Sequence, residues 1–413
     1  MRVLALTDSV AEKMLSARHR SAADAESVAA GIIADVRRRG DAGLFDWSRR
    51  LDGARLTPKN LWVTAATPRA IMRQLRAALE HAARNIRRVA EQQRPRSWTY
   101  AVEPGVRVAQ RVTPIETIGC YVPGGRFSLV STLLMTAIPA QVAGVKRIVV
   151  ACPRPNAALL AAAEMLGVEE IAHIGGAQAI AALAYGTCSV PRVDKIFGPG
   201  NRYVTAAKRL VSADCAIDML AGPTEVLVLA TRGDARFIAA DLVAQSEHDP
   251  DAVALLVTTS RPFAKEVSDQ VDEQLSLLPP GNPARRSLSA NGAILIARSV
   301  QSALSFANRF APEHLSVPSG EEAFARHLPA AGSVFIGPWA AQSVGDYASG
   351  TNHVLPTGGG ARSRSGLSTW DFVRCTTVQT LSQAGLRRLA PTVSALADAE
   401  GLVAHRRDVE VRK

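Results

Sequence analysis

Aromatic residues make up only 5% of this 413-residue chain, and lysine occurs seven times against 41 arginines. The five cysteines (Cys120, Cys152, Cys188, Cys215, Cys375) are odd in number and contain no Cys-x-x-Cys pair. That excludes a disulfide framework and a thiolate metal centre, and points to small core residues in a reducing compartment. No apolar run approaches the roughly 18 residues of a membrane span, and the one after Met1 is too short for a secretory leader. A cytoplasmic protein with no membrane partner is the expectation. The net charge of +11 raises the question of nucleic acid, yet the longest unbroken basic run is Arg37-Arg38-Arg39. Without a basic tail, zinc-finger spacing or an aromatic RNA-binding signature, no nucleic-acid partner is expected.

What is present is apolar and periodic: 47% of the residues are hydrophobic, the balance of a soluble α/β protein. Residues 8–20 and 22–39 read as helices, the second with Val28, Ile32, Ile33 and Val36 on one side and Gly40 past its end. Thr67-Pro68 opens a long helix striped by Ile71, Leu75, Leu79, Ala82, Ile86 and Val89, and Pro95 ends it. From Val106 to Val122 the chain reads as β-rich and runs into Pro123-Gly124-Gly125-Arg126. Strand–turn–helix units follow, with Gly175-Gly176 and Gly198-Pro199-Gly200 at two of the turns. Such turns bring backbone N–H groups towards phosphates, but a tight turn needing glycine reads the same way. The full Gly-x-Gly-x-x-Gly element is missing. A second alternating series begins at Glu225, and a short strand is expected at Val409-Glu410-Val411. The expected fold is α/β: two Rossmann-like lobes with parallel sheets, N-terminal helices and a C-terminal helical tail. Its expected divisions are an arm over 1–20 and a main catalytic domain from 21–118 and 225–368. A cofactor lobe is inserted over 119–224, and the tail runs over 369–413.

Eight histidines are present. His19, His81 and His327 fall on charged helices and read as surface residues, and His173 reads as a strand core residue. Gln245 and His248 are i and i+3 near a helix end, on one face about a turn apart, and Pro250 follows. An amide oxygen and an imidazole converging there suit a borderline metal, but taken alone the pair favours a polar helix end with histidine on its dipole, and only further ligands from elsewhere turn it into a metal site. Glu313-His314 sets two titratable groups side by side, either an acid–base pair or a cap beside a solvent-facing ring. Asp346 and His353 share a glycine-rich loop between Gly345 and Gly366, and His405 lies in the tail. With Gln245, His248 and Asp346, His405 would complete a mixed N/O set for Zn²⁺ or Mn²⁺.

In order along the chain stand Ser97-Trp98, Gln110-Arg-Val-Thr-Pro, Tyr121-Val-Pro-Gly-Gly, Gly175-Gly-Ala-Gln and Gly198-Pro-Gly-Asn. They are followed by Ala221-Gly-Pro-Thr-Glu, Gln245-Ser-Glu-His, Ala311-Pro-Glu-His-Leu, Gly350-Thr-Asn-His-Val-Leu-Pro-Thr and Glu400 to His405. Through these segments the chain closely resembles the histidinol dehydrogenases over nearly its whole length. The resemblance implies two successive NAD-dependent oxidations, L-histidinol to L-histidinal to L-histidine, in a homodimer whose tail reaches the partner's site. It implies one zinc ion per subunit, held by Gln245, His248, Asp346 and His405. By the same resemblance His314 takes the alcohol proton, Glu313 activates water, and Thr224, His353 and Glu400 meet the substrate. Gln245, His248, His314, Asp346 and His405 border the substrate too. Tyr121, Gln178 and Asn201 match NAD-contacting positions. Thr224 stands where the family usually has serine, which leaves a sibling dehydrogenase for another small polar alcohol as the alternative.

Overall fold

The structure is a computed structural model that describes residues 1–18, 23–63, 71–124, 129–318 and 330–413. His19, His327, Thr67-Pro68 and Gly125-Arg126 lie outside the described residues. Among those described, three sheets form. Two follow from near-continuous apolar strands, the signature of parallel sheets covered on both faces.

The first sheet is built on β5 (Thr117–Tyr121), β6 (Arg147–Ala151), β7 (Glu170–Ala172), β8 (Lys195–Phe197) and β9 (Ala216–Ile217), with the short antiparallel β2 (Trp62–Val63) at its edge. Its order β2-β7-β6-β5-β8-β9 reverses direction of growth between β5 and β8. Helices Val130–Ala143, Ala157–Leu166, Gly176–Tyr185 and Arg202–Val211 connect these strands. Asn156 caps the second helix through Leu159 N–H, and Gly144 and Gly167 end two of them in the left-handed region, as their start and stop signals require. Helices Ala23–Arg39, Asp41–Asp52 and Arg73–Gln93 also pack on this lobe. The sequence reading groups them with the second lobe. Their apolar stripes instead cover the outer faces of the first lobe's helices, although Val28 faces solvent.

The second sheet takes β10 (Glu225–Leu229), β11 (Val253–Thr258), β12 (Ala293–Ile296), β13 (His314–Val317), β14 (Ser333–Ile336) and, at its edge, β1 (Arg2–Ala5). All its pairs are parallel, in the order β1-β12-β11-β10-β13-β14. The arm expected over 1–20 therefore opens on a strand before its helix, Asp8–Ala17. Helix Pro283–Asn291 occupies a stretch whose polar faces hide its period.

The third sheet is antiparallel: β3 (Trp98–Glu103), β4 (Val106–Pro114) and β15 (Val373–Leu381). The β-rich run from Val106 to Val122 thus splits into two strands of different sheets. Beyond β15, helices Gln383–Ala399 and Val403–Glu410 form the tail. The expected strand at Val409 is a helix end, held by i,i+4 pairs such as Arg406–Glu410. No described helix is long and apolar enough to cross a membrane.

Candidate active site

The two growth reversals place the functional residues. In the first sheet the crevice lies at the carboxyl ends of β5 and β8, where open α/β sheets bind ligands. In the second sheet the polar cluster gathers at the opposite, amino edge: Thr224 precedes β10 and Glu313-His314 begins β13. Helix Ala235–Ser246 runs back from the carboxyl edge and delivers Gln245 and then His248 to the same place. Across the pocket, Thr132 at the start of the helix after β5 reaches His353 Nε2 at 3.4 Å. The carboxyl edge of one sheet thus faces the amino edge of the other.

Glu313 and His314 are both buried, 6% and 3% exposed. They follow Ala311, which sits at φ +44°. A non-glycine residue held there is strained, and such strain gathers where surrounding structure fixes a functional segment. Thr224 carries a hydrogen-bond relay: Gln245 Nε2 donates to Thr224 Oγ1, and Thr224 Oγ1 donates to Glu313 Oε2. The relay fixes which way the amide of Gln245 points. Its Oε1 is buried and has no partner, an acceptor turned into the pocket. Asp346, expected on a loop, lies on the short helix Gln342–Tyr347, whose Gln342 Nε2 donates to Asp241 O at 3.1 Å. One Asp346 oxygen is 3.9 Å from His248 Nε2 and the other 3.7 Å from His314 Nε2. His353 Nδ1 donates to the Asp346 carbonyl at 2.9 Å.

Burial and charge set the protonation states. Burial raises the Glu313 carboxyl to about 7, against the pull of His314 and the Thr224 and Glu225 hydrogen bonds. Burial opposes a charged His314, but the carboxylates of Glu313 and Asp346 outweigh it and lift the ring to about 9. His314 Nε2 is too far from Asp346 for a hydrogen bond and has no other partner, so the attraction is that of charge. Burial likewise works against ionising Asp346, and His314 and His353 hold it below the usual carboxylate range nonetheless. Desolvation lowers His248 and His353, which keeps both rings neutral, the state in which imidazole binds metals.

Of the residues singled out in the sequence, Thr224, Gln245, His248, Glu313, His314, Asp346 and His353 come together in this pocket. Glu400 and His405 do not: both are exposed on the tail, and no pocket residue bonds to either. Among the described residues no trio of His, Cys, Asp and Glu side chains forms a metal site unaided. Gln245 Oε1, neutral His248 and ionised Asp346 are donors of the kinds that could hold part of a divalent ion's shell, which would need a further donor from elsewhere. Tyr121, Gln178 and Asn201 gather at the carboxyl edge of the first sheet. Tyr121, pushed up to about 12 by burial, accepts from Gly176 N–H at 3.2 Å. Gln178 donates to Asp52 at 2.9 Å while its buried Oε1 lacks a partner. Asn201 caps the helix after β8. The adjoining Gly198 is braced at both ends: its N–H donates to Asp218 (2.8 Å) and its carbonyl accepts from Lys208 (2.9 Å), whose buried side chains also pair. His173 is half-buried at a strand end and His81 is exposed. Sequence reasoning passed over Arg18, Thr132 and Gln342 and gave no role to Asp241, although it stands in the segment that leads to Gln245 and His248; Glu225 lay within a quoted motif.

Two parallel-sheet lobes meeting over a buried acid–base cluster define an α/β enzyme. The family profile described as histidinol dehydrogenase matches residues 15–413. Curated relatives bearing that name include those of Photobacterium profundum, 45% identical over 94% of this chain and 90% of the relative, and Gluconobacter oxydans, 43% identical over 97% and 95%. The crystal structure of histidinol dehydrogenase from Elizabethkingia anophelis superposes with a TM-score of 0.93 at 36% identity, covering 100% of this chain and 98% of that one. The chain belongs to the histidinol dehydrogenase family. An acetylating aldehyde dehydrogenase from Geobacillus thermoglucosidasius shares the fold alone, at 11% identity and a TM-score of 0.51 over 91% of this chain and 96% of that one.

Proposed function

We propose that this chain is a zinc-dependent enzyme that oxidises L-histidinol through L-histidinal to L-histidine, consuming one water and two NAD, in the cytoplasm. The observation that carries the reading is the convergence of Glu313, His314, Asp346 and the unpartnered Gln245 oxygen in one buried pocket. An amide oxygen, a neutral imidazole and an ionised carboxylate fit Zn²⁺, at Gln245, His248 and Asp346. The exposed tail favours His405 of a second copy as the fourth ligand, with Glu400 beside it at the substrate and a homodimer sharing its sites. When bound, zinc supplies a Lewis-acid grip on the amine and imidazole of histidinol, which orients the carbinol carbon.

The remaining chemistry belongs to this chain's side chains. His314 Nδ1 lies 3.1 Å from the Glu225 carbonyl. Donation there leaves Nε2 for the carbinol hydroxyl, whose proton it takes as hydride leaves the carbon for the nicotinamide. A cation held at Asp346 would offset one of the two carboxylates that hold the His314 proton and so would free the ring to accept one. Glu313, poised near 7, takes a proton from water as the water oxygen bonds to the aldehyde carbon. His314 returns the proton it took in the first step to the former carbonyl oxygen, which completes the hydrate; from that hydrate the second hydride leaves, and a hydroxyl proton passes to the again neutral His314. Thr224 and His353 border the substrate. Tyr121, Gln178 and Asn201 line the NAD site of the lobe over 119–224, at the edge facing the pocket.

The test is NADH formation from L-histidinol, abolished by a chelator and restored by zinc. Turnover of other small alcohols, with none on histidinol, would favour the sibling dehydrogenase that Thr224 allows.

A further inference from the structure

Glu225 performs no step in this chemistry, yet all its polar groups are tied into the pocket. Its N–H donates to Glu313 Oε2 at 2.8 Å, and its carbonyl accepts from His314 Nδ1 at 3.1 Å. Its carboxylate accepts from Arg18 Nε and Nη2, each at 2.6 Å, and from Gly358 N–H at 3.2 Å. Arg18 lies 207 residues away in sequence, and the two side chains are 3% and 2% exposed. The third nitrogen of Arg18 donates to the Phe310 carbonyl, and its guanidinium lies 3.7 Å from the centroid of the Phe310 ring. Phe310 ends its helix immediately before Ala311, the strained residue from which Glu313 and His314 follow.

One planar cation therefore grips two chain segments: the turn into β13, which carries the acid–base pair, and the start of β10, to whose backbone both members are hydrogen-bonded. We infer that Arg18 is a positioning residue for Glu313 and His314, acting through Glu225 and the Phe310 carbonyl. A buried ion pair adds little net stability over apolar filling of the same space. The fork geometry, by contrast, fixes orientation, which a lysine ammonium cannot reproduce at three acceptors in one plane. The Phe310 bond holds the Ala311 turn in its strained form, and the Glu225 bonds hold the backbone to which Glu313 and His314 are fastened.

The inference rests on the roles proposed above for Glu313 and His314. The test compares full-length parent, Arg18→Lys and the double variant Arg18→Met/Glu225→Gln, which buries no unpaired charge and carries the comparison should Arg18→Lys fail to fold. A displacement on the order of 1 Å at reacting groups costs about a hundredfold in rate. We expect kcat for histidinol to fall about ten- to a hundredfold while KM for histidinol and NAD stays within about threefold, with zinc content and Tm near the parent's. A kcat within about twofold of the parent's, or a loss in which kcat and Tm fall together while both KM values rise, overturns it. If the parent itself makes no NADH from histidinol, the proposed function fails instead. The clamp is then decided by amide exchange over 310–314 and 225–229: faster exchange in Arg18→Lys upholds it, and unchanged exchange overturns it.

Discussion

Thr224→Val removes one oxygen from the pocket at nearly constant volume, and the relay makes its effect specific. In the parent, Thr224 Oγ1 accepts from Gln245 Nε2 and donates to Glu313 Oε2. Valine leaves a buried amide N–H and a carboxylate oxygen each short of a partner, at about 1–3 kcal/mol per group. Glu313 Oε2 keeps the Glu225 N–H at 2.8 Å, so the loss falls mainly on Gln245. Its amide is then free to turn and present N–H where a cation needs oxygen. Losses of this kind beside a metal ligand weaken metal binding about 10- to 100-fold, or roughly 1.4–2.7 kcal/mol. A competition titration of zinc against a chromophoric chelator measures this directly. Thr224→Ser, which keeps the hydroxyl, should stay within about threefold of the parent, under 1 kcal/mol. If Thr224→Val holds zinc as tightly as the parent, or if serine and valine lose equally, the relay does not orient Gln245.

Three further outcomes follow from the same geometry. His314→Ala slows both hydride transfers, whereas Glu313→Gln chiefly impairs conversion of histidinal and spares oxidation of histidinol, each loss being about 10²–10⁴-fold; a loss from Glu313→Gln that is equal in both half-reactions would contradict the division of labour. Asp241, buried against Ser316 and Gln342, is raised by burial from 3.8 to about 6. A carboxyl whose folded pKa lies above its unfolded value costs stability as pH rises from about 4 to 6. Asp241→Asn should therefore raise stability at pH 7.5 by up to about 3 kcal/mol, a gain that fades towards pH 4. Denaturant unfolding across that range checks it, and a gain independent of pH would refute the cause. Gly198 sits at φ +110°, where an added Cβ would meet the Tyr121 carbonyl oxygen at 2.1 Å. Gly198→Ala should weaken NAD binding at least about tenfold, some 1.4 kcal/mol, with zinc binding retained; calorimetry with each ligand separates the two.

Elements whose side chains are buried all round were legible because a short unbroken apolar run between turn residues fits a strand covered on both faces. Glu225–Leu229 and Ala293–Ile296 are examples. Strand Val373–Leu381 alternates polar residues on two open faces and gives no such signal; its pairing with β4 across the whole register holds it. The last helix was misread at Val409 because two β-branched residues are locally ambiguous, and the charge pairs that favour helix need partners outside that triplet, Arg406 for Glu410 and Asp408 with Arg412. In the pocket, residues sharing a short motif were visible, since Gln245 and His248, or Glu313 and His314, need only local geometry to meet. Arg18 and Glu225 were not, because nothing in either neighbourhood announces a partner 207 residues away. Glu400 and His405 show the opposite limit. Their motif is legible, yet one chain leaves them exposed, which is why a second copy enters the proposal.

The stoichiometry of NADH to histidinol, with the carbon product identified, tests the central claim most directly. A pocket holding both a proton acceptor and a water-activating carboxylate beside one substrate should yield two NADH and one histidine for each histidinol consumed. One NADH with release of histidinal would leave Glu313 without its role. Production of no NADH by zinc-loaded protein would contradict the account as a whole.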